Sequence, residues 1–360
     1  MPRISVIHTL AIVGVNVIAG SVSHTSLAQT TVVSQSAIRM PETVSGNLSE
    51  SSPVLEDDGS YYERHAFEGI AGESITIELS SPDFDTYLIL LNPEGEWVAQ
   101  DDDGGEGTNS RIVVMISVTG NYTLMVNSHS VGETGTYRLD WRSASTTDWA
   151  LNEASQLNQQ VIEAYQTGNY AEAVPLAKRA LEIYEQELGP THPDTAQSFN
   201  NLAELYREQG RYSEAEPLFQ RALEINELAL GPTHPNTALS LDNLAELYAS
   251  QGHYSEAETL FQRALTIRER ELGPTHPDTA LSLNNLAALY TSQGRYSKAE
   301  PLLQQALVTS ERALGLTHPS TAINITNLAL LYVYQGRYGG AEPLLQRALA
   351  INEQALGQTH

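Results

Sequence analysis

The stretch GPTHPDTAQSFNNLAELYREQGRYSEAEPLFQRALEINELAL occupies residues 189–230 and returns, with substitutions, every 42 positions. Its opening Gly189-Pro190-Thr191-His192-Pro193 recurs at Gly231 and Gly273, as Gly315-Leu316-Thr317-His318-Pro319, and as Gly357-Gln358-Thr359-His360. Residues 151–360 therefore hold five units, the first degenerate and visible as Val161-Ile162-Glu163-Ala164-Tyr165 followed by Asn169-Tyr170-Ala171-Glu172-Ala173. Repetition at this period marks a stacked array in which neighbouring units bury each other's apolar faces. Inside a unit the pattern is helical: Phe199, Leu202, Ala203 and Tyr206 form one stripe, and Ala215, Phe219, Ala222 and Leu223 a second. Gly210-Arg211-Tyr212 turns the chain between them, with Gly168, Gly252, Gly294 and Gly336 at the same place. The linker glycine suits a helix C-terminal cap, and the proline after the histidine suits a first helical turn.

Asn201-Leu202-Ala203-Glu204-Leu205-Tyr206 followed by Gln209-Gly210-Arg211-Tyr212 and Glu214-Ala215-Glu216-Pro217-Leu218 resembles the tetratricopeptide repeat, and the 42-residue length is similar to the kinesin light chain type. The resemblance implies a right-handed superhelix whose first helices line a concave groove for peptides or proteins. It implies the repeat type and not transport along microtubules. On that alignment the groove positions are Asn200, Asn201, Glu204, Arg207 and Glu208, then Asp242, Asn243 and Glu246. They continue with Asn284, Asn285 and Ala288, and then Thr326, Asn327, Leu330, Val333 and Tyr334. The recurring Asn201, Asn243, Asn285 and Asn327 have two readings. An amide offers donor and acceptor together and can grip a ligand's peptide unit, or it can tie neighbouring helices to one another. The groove grades from acidic (Glu204, Glu208, Asp242, Glu246) to apolar (Ala288, Leu330, Val333, Tyr334), so the expected ligand segment has a basic end and an apolar end. His192, His234, His276, His318 and His360 form a ladder spaced one per repeat. Layers of packed helices stand roughly 10 Å apart, too far for one zinc ion, so helix-start packing is the expectation.

Residues 45–142 have a different texture. Ile75, Ile77 and Leu79 alternate with polar residues, as do Tyr122, Leu124 and Val126, and Tyr137, Leu139 and Trp141; further apolar runs lie at 87–91 and 112–116. Period two places one row in a core and the other in water. Turns at Asn92-Pro93-Glu94-Gly95 and Asp103-Gly104-Gly105 separate them. Seven or eight such strands predict a β-sandwich or jelly roll. The chain is thus read as two domains, an all-β sandwich followed by an all-α repeat solenoid, with 1–28 a leader, 29–44 and 143–150 linkers, and 151–360 the array.

His65-Ala66-Phe67 through Leu79, Asp83-Phe84-Asp85-Thr86-Tyr87-Leu88, the run Asp101-Asp102-Asp103, and the Gly-x-Tyr strand starts at Tyr122 and Tyr137 resemble the bacterial pre-peptidase C-terminal domain. That resemblance implies a non-catalytic accessory module. The carboxylates Asp83, Asp85, Asp101, Asp102 and Asp103 have two readings: oxygen ligands for Ca²⁺ from two loops at one end of the sandwich, or turn caps and a solvated loop.

Composition narrows the function. The 360 residues carry 44 acidic against 19 basic side chains, a formal charge of -25, and no cysteine. Residues 30–150 hold 20 of the acids and 5 of the bases. With only Lys178 and Lys298 as lysines, a surface this negative repels phosphate backbones and excludes nucleic acid as the expected partner. Lack of cysteine excludes disulfides, thiolate metal sites and cysteine nucleophiles. No Gly-x-Ser-x-Gly, His-Glu-x-x-His or phosphate loop is present, so no enzyme is expected. Arg3, the apolar stretch 10–19 and Ser26-Leu27-Ala28 match a secretory leader cleaved before Gln29, so the mature protein is expected to be secreted or periplasmic with no membrane span. At the other end, Leu344, Leu345, Ala348 and Leu349 are expected to lack cover, through truncation, self-association or a capping partner. The resulting reading is an exported scaffold for a protein or peptide, and the alternative is the regulatory portion of a secreted peptidase.

Overall fold

A computed structural model describes residues 42–55, 59–102 and 109–357. The expected leader, Asp103 and His360 lie outside them. The described residues form two compact units, one ending at Gln160 and the other starting at Val161.

The first unit contains eight strands: β1 (Glu42–Leu48), β2 (Tyr62–Gly69), β3 (Ser74–Ser80), β4 (Thr86–Leu91), β5 (Trp97–Asp101), β6 (Ser110–Met115), β7 (Gly120–Ser128) and β8 (Gly135–Ser143). They make two antiparallel sheets, ordered β1-β8-β3-β6 and β2-β7-β4-β5. The inward rows Ile75, Ile77 and Leu79, Tyr122, Leu124 and Val126, and Tyr137, Leu139 and Trp141 close one apolar core with Leu48, Phe67, Leu88, Leu90 and Ile112. This is the sandwich that alternation predicts. β1 starts at Glu42 and the helix after the sandwich starts at Thr146, so regular structure extends into both segments expected as linkers. The physical reason is pairing: Glu42 faces Trp141, the inward end of β8, so the added edge covers core residues.

Ten helices follow: α1 (Thr146–Gln166), α2 (Tyr170–Glu187), α3 (Pro193–Glu208), α4 (Tyr212–Ala229), α5 (Pro235–Gln251), α6 (Tyr254–Glu271), α7 (Pro277–Ser292), α8 (Tyr296–Ala313), α9 (Pro319–Tyr334) and α10 (Tyr338–Gly357). They pair as α3 with α4, α5 with α6, α7 with α8 and α9 with α10, and successive pairs stack, with the first helices α3, α5, α7 and α9 also in direct contact. Ala203, Ala215 and Ala222 are fully buried beside Phe219, as the small-residue spacing requires. Gly210 adopts φ 73°, a backbone state that a side chain would strain, and its counterparts in the other repeats do the same.

The histidine ladder has a definite structural role. His192, His234, His276 and His318 are N-caps whose Nδ1 accepts the backbone N–H two residues on, at 3.2, 3.1, 3.1 and 3.1 Å. The hydroxyls of Thr195, Thr237, Thr279 and Thr321 donate back to the linker glycine carbonyls at 2.8 Å. The Gly-x-Thr-His-Pro-x-Thr string is thus a self-closing helix entry. At the last repeat the expectation of four uncovered residues is corrected: Ala348 is buried with Ala322, Ile325 and Ile351, and Leu344 packs there too, because α10 turns that row onto α9. Leu345 and Leu349 remain exposed. No helix among the described residues is long and apolar enough to cross a membrane.

Candidate functional site

The face of α3, α5, α7 and α9 carries the residues singled out in the sequence, and the structure separates them into two kinds. One kind sits inside the junctions between repeats. Asn200 and Asn226 both donate to Ser240 Oγ, at 3.4 and 2.9 Å. One repeat later Asp242 accepts from Arg268, which also donates to Ser282. One repeat further Asn284 donates to Asn324, which donates to Ser310. The three knots occupy equivalent positions, and each uses a different polar set. Asn200, Asp242 and Asn284 are therefore helix ties through at least part of their hydrogen-bonding capacity. A signal for this was present in the sequence: polar residues at 198, 200 and 226 recur at 42-residue steps and change together in type.

The second kind lies outside those three knots, and its members range from buried to exposed. Asn201 is buried and accepts from Gln197 at 2.9 Å, and Asn285 is buried with an Oδ1 that has no hydrogen-bond partner. Asn243 is half-buried, and Asn327 is half-buried and donates to Asn284 Oδ1 at 3.3 Å. The four asparagines of the row are thus not equivalent in their surroundings. Tyr334 is exposed at the end of α9. Between α7 and α9 a cleft is lined by Asn284, Ala288, Thr291, Asn327, Leu330 and Leu331. Between α3 and α5, Arg207 gathers carboxylates: its Nε donates to Glu204 at 2.8 Å, and Glu208 and Glu246 lie at 2.9 and 3.8 Å. Tyr165 donates to Glu204 at 3.2 Å. Burial pushes the Glu246 carboxyl up to about 8; Arg207 opposes the shift, while Glu204, Asp242 and Glu208 add to it.

The aspartates of the sandwich disperse. Asp83 is exposed and accepts from the Thr136 N–H and hydroxyl at 2.8 and 2.7 Å, which hold it below the usual carboxylate range. Asp101 accepts from the Arg111 N–H at 2.7 Å. Asp85 and Asp102 stay near each other: His129 lies 3.5 Å from Asp102, and burial, with Asp102 adding to it, raises Asp85. Among the described residues, no group of three or more His, Asp or Glu side chains is placed to hold a metal ion. Sequence reasoning passed over Glu133, whose carboxyl is raised by burial with Asp85 adding to it, and which completes that polar corner. Its position after β7 becomes meaningful only once the strands are paired.

A family model, the tetratricopeptide repeat, matches at residues 161–227, 200–270, 251–308 and 278–354, together more than half of the chain. Among solved structures, a Podosopora anserina kinesin light chain protein with nearly identical TPR-like repeats is 28% identical, covering 56% of this chain and 95% of its own, with a TM-score of 0.46. BtubC from P. vanneervenii is 22% identical over 59% of this chain and 94% of its own, with a TM-score of 0.47. PilF of Pseudomonas aeruginosa is 18% identical over 57% and 78%, with a TM-score of 0.41. No curated protein matches the chain.

Proposed function

We propose that this chain, which belongs to the tetratricopeptide repeat family, holds a peptide or protein segment along the first helices of its repeats. The observation that carries the reading is the cleft between α7 and α9. It collects Asn284, Ala288, Asn327 and Leu330, four positions expected to face a ligand, around a mostly apolar floor that ends in amide groups. An apolar ligand side chain gains burial there, and the amides can meet its backbone. Toward α3 the face turns acidic, so the bound segment would run from an apolar end to a basic one. The scaffold itself supplies no reaction.

A photo-crosslinking amino acid tests this placement. At Ala288 or Tyr334 it should capture the partner in the cells that make the protein. At Leu228, exposed on the second-helix face, it should not. Equal capture at both positions would reject the groove. Asn243→Ala with Asn285→Ala should weaken capture with the array still folded.

We also infer that the protein works outside the cytoplasm, on the strength of the leader pattern, with the sandwich as an accessory module like the domain it resembles. The mature chain should then begin at Gln29; a mature chain beginning at Met1 would remove this inference.

A further inference from the structure

The sandwich holds a polar corner on the outer face of its β2-β7-β4-β5 sheet. Along β7, Tyr122, Leu124 and Val126 enter the core, so Met125 and Asn127 stand on the opposite face. Asn127 faces Tyr87 of β4. One row on, the His129 N–H donates to the Asp85 carbonyl at 2.8 Å, which makes Asp85 and His129 the next outward pair and Asp85 the diagonal neighbour of Asn127. Glu133, in the connection between β7 and β8, reaches the same place, where its carboxylate accepts the backbone N–H groups of Ser130 and Asp85. Three stretches of chain converge there. Each brings a buried side-chain oxygen with no hydrogen-bond partner: Oδ1 of Asp85, Oδ1 of Asn127 and Oε2 of Glu133. Asn127 is the sharpest case, because it is fully buried and neither its oxygen nor its nitrogen is paired. An apolar side chain would suit its row, which continues from Met125 and Ile89, and a buried amide without partners is costly.

We propose that this corner binds a calcium ion through Asp85 Oδ1, Glu133 Oε2 and Asn127 Oδ1. All three atoms are acceptors, two belong to carboxylates, and hard oxygens of this kind are what calcium takes, at about 2.3 to 2.6 Å. Two ligand oxygens then stand up to about 5 Å apart, and diagonal neighbours on a sheet, roughly 7 to 8 Å apart at their backbones, can reach an ion between them. The ion's waters can accept from Asn127 Nδ2. Among the described residues, the charges that act on Asp85 and Glu133 are His129, Asp102 and each other, with no lysine or arginine. The donor set differs from the five aspartates of the sequence reading. Asp83 is engaged by Thr136 and Asp101 by the Arg111 N–H, while Asn127 and Glu133 take their place. No third acidic or histidine side chain among the described residues is placed to join, so water fills the remaining positions and the affinity falls in the range of about 0.1 to 1 mM. Magnesium needs a near-ideal octahedron at about 2.1 Å and fits three fixed protein oxygens less well.

Terbium luminescence on the full chain tests the site. Tyr87, opposite Asn127, should sensitise the bound terbium, and calcium should displace it with a midpoint of about 0.1 to 1 mM. Melting followed by near-ultraviolet circular dichroism gives a second readout: about 10 mM calcium should raise the Tm of the sandwich by about 5 °C or more over chelator, and magnesium by far less. Asp85→Asn and Glu133→Gln should each weaken calcium binding about ten-fold, yet melt no earlier than the parent in chelator, because each removes a like charge. Asn127→Asp adds a third carboxylate, so it should melt earlier in chelator and bind calcium more tightly. Asp83→Asn, whose partner is Thr136, should leave the calcium response unchanged. Absence of a calcium shift, or an equal shift in Asp85→Asn and Glu133→Gln, would overturn the site and assign the three oxygens to ordered water. If both of those variants fail to fold, Asn127→Asp decides: tighter binding keeps the site, and unchanged or weaker binding removes it.

Discussion

In the sandwich, β1 finds its partner in β8, with Glu42 facing Trp141 across nearly a hundred residues of chain, whereas in the solenoid α5 packs against α3, α4, α6 and α7. The first unit has one core that every strand completes; the second has a series of interfaces, each shared by neighbours. The two also treat buried charge differently. The sandwich gathers it at a rim, where Asp148 in the first turn of α1 accepts from Arg142 at 2.9 Å, from the Ser145 N–H and hydroxyl at 2.7 Å, and from Arg111. The solenoid places a polar knot inside every junction from α3 to α9. A single core should fail as a whole, and a stack should fail piece by piece.

The largest test of that difference is Trp141→Ala. Trp141 is fully buried beside Phe67, and its truncation should cost about 4 kcal/mol and abolish the sandwich's near-ultraviolet circular dichroism while the helical signal survives. Joint loss of both signals would mean that the units are not separate. Next, Arg268→Met strands Asp242 in a junction and should cost about 3 kcal/mol, with hydrogen exchange accelerating in α5 to α7 and not in the sandwich. Adding Asp242→Leu should restore most of that loss; no recovery would mean that the pair does more than satisfy itself.

Acidity sharpens the contrast. Against the cost of its burial, Arg142, Ser145 and Arg111 hold Asp148 well below the usual carboxylate range. Its contribution is present above the ordinary aspartate pKa and is lost as pH falls through its depressed native value. Glu246 behaves oppositely: its native pKa is raised, so its contribution is full below the ordinary glutamate value and disappears as pH climbs from about 4.5 to about 8. Urea midpoints read separately for strands and helices should therefore move in opposite directions, the sandwich weakening below pH 4 and the solenoid weakening toward pH 8. Glu246→Gln should flatten the second trend.

The smallest expected effect concerns a gap in the stack's outer clamps. Arg295 reaches Glu258 at 2.6 Å and Arg337 reaches Glu300 at 2.8 Å, each stacked on its own tyrosine. The equivalent residue for Glu216 is His253. His253→Arg should stabilise the array by about 0.5 kcal/mol, a gain that salt should erode. An unchanged urea midpoint would show that these clamps follow the stack rather than hold it.

Much of this was legible in the chain because its causes are local. The 42-residue period, the glycine at positive φ, the proline at the helix start and the alternation of Ile75, Ile77 and Leu79 each depend on residues a few positions apart. β2 and β5 were harder, since Tyr62–Gly69 is rich in charge and Trp97–Asp101 is an edge with little burial, and neither leaves a clear apolar rhythm. The histidines show a finer limit. Their place at helix starts followed from spacing, but the ring accepting an N–H needed the backbone to be in position. Asn200, Asp242 and Asn284 show the larger one. A polar residue on the inner face of a first helix suits a ligand and a neighbouring helix equally well, and a few degrees of helix rotation separate the two. Repetition and hydropathy fix which residues share a face, because those are properties of one segment. Which of them meet one another depends on how a segment packs on the next, so the junction knots and the crowding of carboxylates around Arg207 came only from the packed stack.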